Sequence, residues 1–117
     1  MSKIFCILYL EYILMTLDLK KTVPVTLVNR HEWIFFLKNE QIAIEIKMAR
    51  QNRDPEKIRN ELIIDKEHYR KRKDVKTLYC MVYDPKELIA NPRGFENDLS
   101  ENREDFKVKI FVVPRKV

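Results

Sequence analysis

Residues 41–50 read QIAIEIKMAR, an apolar run interrupted by Glu45 and Lys47. Read as a strand, the stretch alternates its side chains between two faces. Ile42, Ile44, Ile46 and Met48 share one face, while Ala43, Glu45, Lys47 and Ala49 share the other. The first face is core. The second carries an acid and an amine about 6.5 to 7 Å apart along the strand, flanked by two alanines that leave room above them. That layout is one that chemistry can use.

Working outward, HEWIFFL (31–37) and QIAIEIKM (41–48) are separated by the polar turn Lys38, Asn39, Glu40, where Asn39 suits left-handed dihedrals. Residues 32–48 therefore read as a hairpin. The next segment, RDPEKIRNELIIDKEHYRKRKD (53–74), reads as a helix. Asp54 is a suitable N-cap, Pro55 fits the first helical position and Glu56 complements the positive end of the helix dipole. Ile58, Leu62, Asp65 and Tyr69 fall on one stripe at helical spacing, and basic residues crowd the last turn. VKTLYCMVYDP (75–85) is a continuous apolar run ended by Asp84 and Pro85, the pattern of a buried central strand. Asn91 and Pro92 begin a short helix through RGFENDLS, and FKVKIFVVP (106–114) is a closing strand with Phe106, Val108, Ile110 and Val112 on one face. The expected class is α/β, a mixed sheet flanked by helices.

The chain has 117 residues, enough for one core and too few for two. Its single glycine, Gly94, excludes glycine-rich phosphate loops and with them the P-loop and Rossmann readings. Cys6 and Cys80 lie within apolar runs without the spacing of zinc ligands, so they read as buried thiols of a reducing, cytoplasmic compartment. His31 and His68 stand far apart in sequence with no Cys or second His near either, and read as ordinary histidines. The first twenty residues, MSKIFCILYLEYILMTLDLK, are apolar except chiefly at Glu11. The uninterrupted pieces are shorter than the roughly 20 residues a spanning helix needs, so a packed helix is expected and no membrane partner; an interfacial or dimer-forming segment is the alternative.

The net charge is +5, and residues 47–76 account for it, with eleven Lys or Arg against six acids. Arg70, Arg72 and Lys73 are the candidate contacts to nucleic-acid phosphates. A solvated helix laced with local ion pairs explains the same charges.

The blocks IAIEIKMAR and ELIIDKEHYRKRKDVKTLYCMVYDPKELIANPRGFENDLS, in this order, resemble the PD-(D/E)XK nuclease superfamily, in the branch of DpnII/MboI-type restriction endonuclease domains. The resemblance runs from about residue 33 to residue 114. It implies one domain, with residues 31–117 as a nuclease-like core and residues 1–30 as a divergent segment. It also implies a restriction endonuclease-like fold, DNA as partner, Mg²⁺ as cofactor and a homodimer as a possible assembly. Carried onto this sequence, Glu45 is a metal ligand and Lys47 the catalytic lysine, and the Ile46 carbonyl is a further ligand. The resemblance expects a second acid on the preceding strand, and counting back through the turn puts it at Ile34, which cannot bind Mg²⁺. Glu32, two residues earlier, is the substitute to consider, displaced by about 6.5 to 7 Å.

Three functions follow for comparison. One is a metal-dependent DNA endonuclease; the second is a degenerate or weakly active form that keeps nucleic-acid binding; the third is a non-catalytic interaction or structural remnant. Asp65, on the apolar stripe, is expected to have a buried partner such as Lys47 or His68. Glu61, one turn earlier, either extends an acidic lining or stays exposed. Trp33, Phe35 and Leu37 share a strand face and read as core.

Overall fold

The computed structural model describes residues 26–29, 32–49 and 54–114; the expectations for the first twenty residues and for His31 lie outside these. The described elements run β1 (Thr26–Asn29), β2 (Glu32–Leu37), β3 (Ile42–Met48), α1 (Pro55–Arg70), β4 (Thr77–Tyr83), α2 (Pro92–Leu99), β5 (Glu101–Asn102) and β6 (Lys107–Val113). The strands form one sheet in the order β1-β2-β3-β4-β6-β5. β1, β2 and β3 are antiparallel neighbours, β3, β4 and β6 are parallel, and β5 returns antiparallel on β6. The β1–β2 register slips between Leu27 and Asn29. This is the mixed sheet with helical cover expected of a restriction endonuclease-like fold.

Each parallel step needs a crossover, and the two helices supply them. α1 starts as its sequence requires: the Asp54 carboxylate accepts from the Lys57 N–H at 2.9 Å and Pro55 opens the first turn. α2 repeats the device, the Gly94 N–H donating to Asn91 Oδ1 at 3.1 Å. Both helices pack on one face of the sheet. Ile58, Leu62 and Tyr69 of α1 and Phe95 and Leu99 of α2 join Ala43, Leu78, Cys80, Val82, Val108, Ile110 and Val112 in a single cluster. The opposite face holds Trp33, Phe35, Leu37, Ile44, Ile46, Met48 and Met81. β4 is thus buried on both sides, as its unbroken apolar run implies.

The turn between β2 and β3 differs from the sequence expectation. The left-handed residue is Gln41, with φ of 60°, and not Asn39. The reason is tertiary: the Gln41 carbonyl accepts from the Lys76 N–H at 2.7 Å and the Thr77 N–H at 3.2 Å, so the connection into β4 holds this peptide in place. Those bonds offset the roughly 1 to 2 kcal/mol that a side chain costs in this region.

The stretch after β4 is organised by Asp84, which is buried. Its N–H donates to the Val113 carbonyl at 2.7 Å, and its carboxylate accepts from the N–H groups of Leu88 and Ile89, each at 2.9 Å. Asp84→Ala would strand two backbone donors, so a stability loss of roughly 2 to 4 kcal/mol is expected in urea melts. A loss below about 1 kcal/mol would mean that water replaces the carboxylate.

Candidate active site

β3 is flanked by β2 and β4, so its second face lies directly beneath α1. Glu45 and Lys47 both point into this layer, each with only 1% of its surface exposed. Buried charges persist only with partners. The Lys47 Nζ stands 3.0 Å from Glu45 Oε1, 2.9 Å from Asp65 Oδ2 and 3.4 Å from Glu61 Oε1. One ammonium therefore joins three carboxylates, one from the strand and two from the helix.

The arrangement follows from matching repeats. Two residues of a strand advance about 6.5 to 7 Å, and four residues of a helix about 6 Å. α1 runs back along β3, so Glu61, Asp65 and Tyr69, spaced by four, meet the strand face of Lys47, Glu45 and Ala43, spaced by two. The small Ala43 and Ala49 lie in the same cluster as Ile58, Leu62 and Tyr69, which lets the helix sit low over the strand. Asp65 is the bridge expected from the stripe, with Lys47 as its partner. Glu61 reaches the same ammonium while keeping about a third of its side chain in solvent.

Tyr69 completes the row and is buried. Burial, reinforced by the negative charge of Glu45 and to a lesser degree of Asp65, pushes its phenol far above the usual tyrosine range, with Arg72 opposing. The hydroxyl therefore stays protonated at physiological pH. Cys80 is the residue of β4 paired with Glu45, a buried thiol without a disulfide, as expected. Cys6 lies outside the described residues.

On the other side, β2 pairs Ile34 with Glu45 and Glu32 with Lys47. The residue directly across from Glu45 is the isoleucine. Ile34 is half-buried, and cross-strand partners share a face. Ile46 is paired with Trp33 on one side and Met81 on the other.

The three candidate phosphate contacts separate into two kinds. Arg70 Nη2 donates to both carboxylate oxygens of Glu101, at 2.8 and 3.0 Å, and its Nε donates to Glu67 at 3.2 Å. Arg72 donates to Asp74 at 2.8 and 2.6 Å and lies over the Phe36 ring. Lys73 is exposed, as is Lys71 beside it.

One charged residue has no counterpart in the sequence reading. Lys66 is buried, its Nζ donating to the Leu99 carbonyl at 2.9 Å and pairing with Glu101 at 2.9 Å. It occupies the inward stripe beside Leu62 and Tyr69, which the pattern assigns to Asp65; Asp65 sits at the rim instead. A lysine one residue after an acid carries no local mark of burial, since its partners are 33 and 35 residues away in sequence.

The family model for the DpnII–MboI restriction endonucleases (REase_DpnII-MboI) matches residues 3–115. The chain belongs to the DpnII–MboI restriction endonuclease family. The match takes in the N-terminal segment that the blocks around Glu45 and Lys47 do not reach. No curated protein and no solved structure matches the chain significantly. Membership makes this a nuclease-type chain of restriction systems, a family whose substrate is DNA and which usually uses divalent metal ions. Among the described residues no helix is long and apolar enough to cross a membrane.

The Glu45 carboxylate is of the chemistry such an ion takes, and the Lys47 ammonium beside it is not a ligand. Carboxylate oxygens are the hard ligands that Mg²⁺ takes, and it commonly binds one or two of them together with waters and substrate phosphates. Among the described residues no three His, Cys, Asp or Glu are grouped as a ready cage. The carboxylates gather on the Lys47 ammonium instead.

Proposed function

We propose that the chain hydrolyses DNA phosphodiester bonds, at a low rate and with the help of a divalent cation such as Mg²⁺, from a site built on Glu45 and Lys47. The buried contact of 3.0 Å between these two residues beneath α1 carries this reading. Glu45 would hold the cation, with the Ile46 carbonyl as a further oxygen. A divalent cation, when bound, supplies Lewis-acid activation of the phosphate. Lys47 offers three donors on a flexible stem. Glu45, Asp65 and Glu61 hold the ammonium beside the strand acid, from where it would stabilise negative charge on the phosphoryl oxygens of bound DNA. Cover by α1 keeps water from screening that interaction.

The low rate follows from Ile34, which supplies no oxygen across from Glu45. DNA binds largely through its phosphates. Lys73 and Lys71 reach them freely, whereas Arg70 and Arg72 already donate to Glu101 and Asp74 and contribute less. One site cuts one strand, so cutting both strands of a symmetric target calls for two copies of the chain. The cytoplasm, where such DNA and reduced thiols meet, is the compartment that fits.

Ile34 also favours a second reading, a degenerate domain that binds DNA without cutting it. Incubation of supercoiled plasmid with Mg²⁺ or Mn²⁺ at low salt separates the two. Nicking by the wild type, reduced at least about 100-fold in Glu45→Gln, is the expected result. Duplex binding that weakens steeply with salt, with no nicking under either cation, belongs to the second reading. Neither binding nor cleavage would overturn both.

A further inference from the structure

We propose that the sheet face turned away from α1 carries a second binding site, in which unpaired bases of single-stranded DNA stack on Tyr79 and Phe111 while Lys107 and Lys109 hold the phosphates. The choice of occupant rests on DNA being the substrate of the family. The site itself shares no residue with that of Glu45 and Lys47.

Along β4 and β6, Thr77, Tyr79 and Met81 are paired with Lys107, Lys109 and Phe111, and all six stand on the face opposite α1. The Tyr79 and Phe111 rings lie 6.0 Å apart between centroids and within 9° of parallel. Both are partly exposed, and Phe111 belongs to neither core cluster of the described residues. Two nearly parallel rings left partly open to solvent form a stacking platform that any base fits, since every base has a π-face. In a duplex those base faces are covered by neighbouring base pairs, so the platform takes unpaired bases.

The charge around the rings has the sign that phosphates need. Lys107 and Lys109 are exposed, and neither is paired with an acid among the described residues. Their spacing along β6 is roughly 6.5 to 7 Å, the order of the step between successive phosphates of an extended strand. The Lys109 Nζ lies 5.3 Å from the centre of the Phe111 ring. Its flexible stem lets the ammonium follow a phosphate outward when a base takes the ring. A hollow of about 780 Å³ continues from these four side chains to the exposed amides of Asn97 and Asn102, groups that donate to and accept from base edges. The two acids on its wall are already engaged: Glu96 accepts from the Val112 N–H at 2.7 Å, and Glu101 pairs with Lys66 and Arg70.

The test measures binding of a fluorescent oligo-dT of about twelve nucleotides to the full chain in EDTA, so that it does not depend on cleavage. Binding that weakens with salt is expected. Phe111→Leu keeps an apolar side chain and removes the ring. Affinity for oligo-dT should then fall about 5- to 150-fold, affinity for a duplex of the same length should not, and Phe111→Tyr should keep the oligo-dT affinity. Lys107→Gln and Lys109→Gln should each lower the slope of log K against log salt by about 0.7. No oligo-dT binding at low salt, no loss in Phe111→Leu, or an equal loss for the duplex overturns the proposal. Self-association that vanishes in Phe111→Leu while oligo-dT binding stays intact also overturns it, and makes the face a contact between two copies. Should Phe111→Leu fail to fold, the wild type decides: the ring proton resonances of Tyr79 and Phe111 should move upfield on adding oligo-dT, and stationary signals overturn the proposal. The nuclease reading fails separately. Oligo-dT binding without plasmid nicking under either cation removes the nuclease and keeps this site; nicking without oligo-dT binding does the reverse.

Discussion

Lys47→Met is expected to destabilise the fold by about 3 to 5 kcal/mol at neutral pH. Methionine matches the lysine stem in length and packs well, so the loss measures the ammonium and not the volume. Without it, Glu45 at the floor of the site and Asp65 above it lose the charge they both touch at 3.0 and 2.9 Å. Each buried carboxylate is then left without its cation, and the loss is read as the change in ΔG of unfolding in urea melts at pH 7. A loss below about 1 kcal/mol would show that packing of the stem, and not charge, is what Lys47 supplies.

Glu101→Gln is expected to cost about 2 to 4 kcal/mol at pH 7 and progressively less below pH 4. Burial raises the Glu101 carboxyl pKa, but hydrogen bonds from Lys66 and Arg70 outweigh it and hold the group below the usual glutamate range. A folded pKa depressed in this way gives stability that is complete above the unfolded value and is lost as pH falls through the folded one. The amide keeps the shape and removes the charge, leaving the buried Lys66 ammonium with the Leu99 carbonyl and Arg70 without its bidentate partner. The measurement is ΔG of unfolding from pH 3 to pH 7 for both proteins. Parallel curves would contradict the linkage.

Much of the fold is legible because its deciding residues act locally. The alternation in QIAIEIKM, the Asp54–Pro55 and Asn91–Pro92 helix starts and the unbroken apolar run of β4 each express a short-range rule, and each element stands where its rule puts it. The position of Ile34 across from Glu45 follows from a turn whose length could be counted. What escaped depends on partners far away in sequence. Asn39 has the stronger local preference for left-handed dihedrals, yet Gln41 adopts them because Lys76 and Thr77 bind its carbonyl. Lys66 looks like any surface lysine until α2 and β5 close over it. The basic run after Tyr69 reads as a phosphate footprint, although Glu101 and Asp74 already engage its two arginines.

The sheet also carries its own limits on assembly. An open strand edge is a template on which another chain can zip. The described sheet ends at β5 in two residues, Glu101 and Asn102, with Arg103 pairing Glu101 directly beside them. At the other end β1 has four residues, and its register slips at mid-length. The two-residue β5 offers a newcomer only a few main-chain bonds, too few to repay the ordering of a second molecule. On the β5 side, among the described residues, partly unfolded chains at high concentration would find a poor seed for fibre growth.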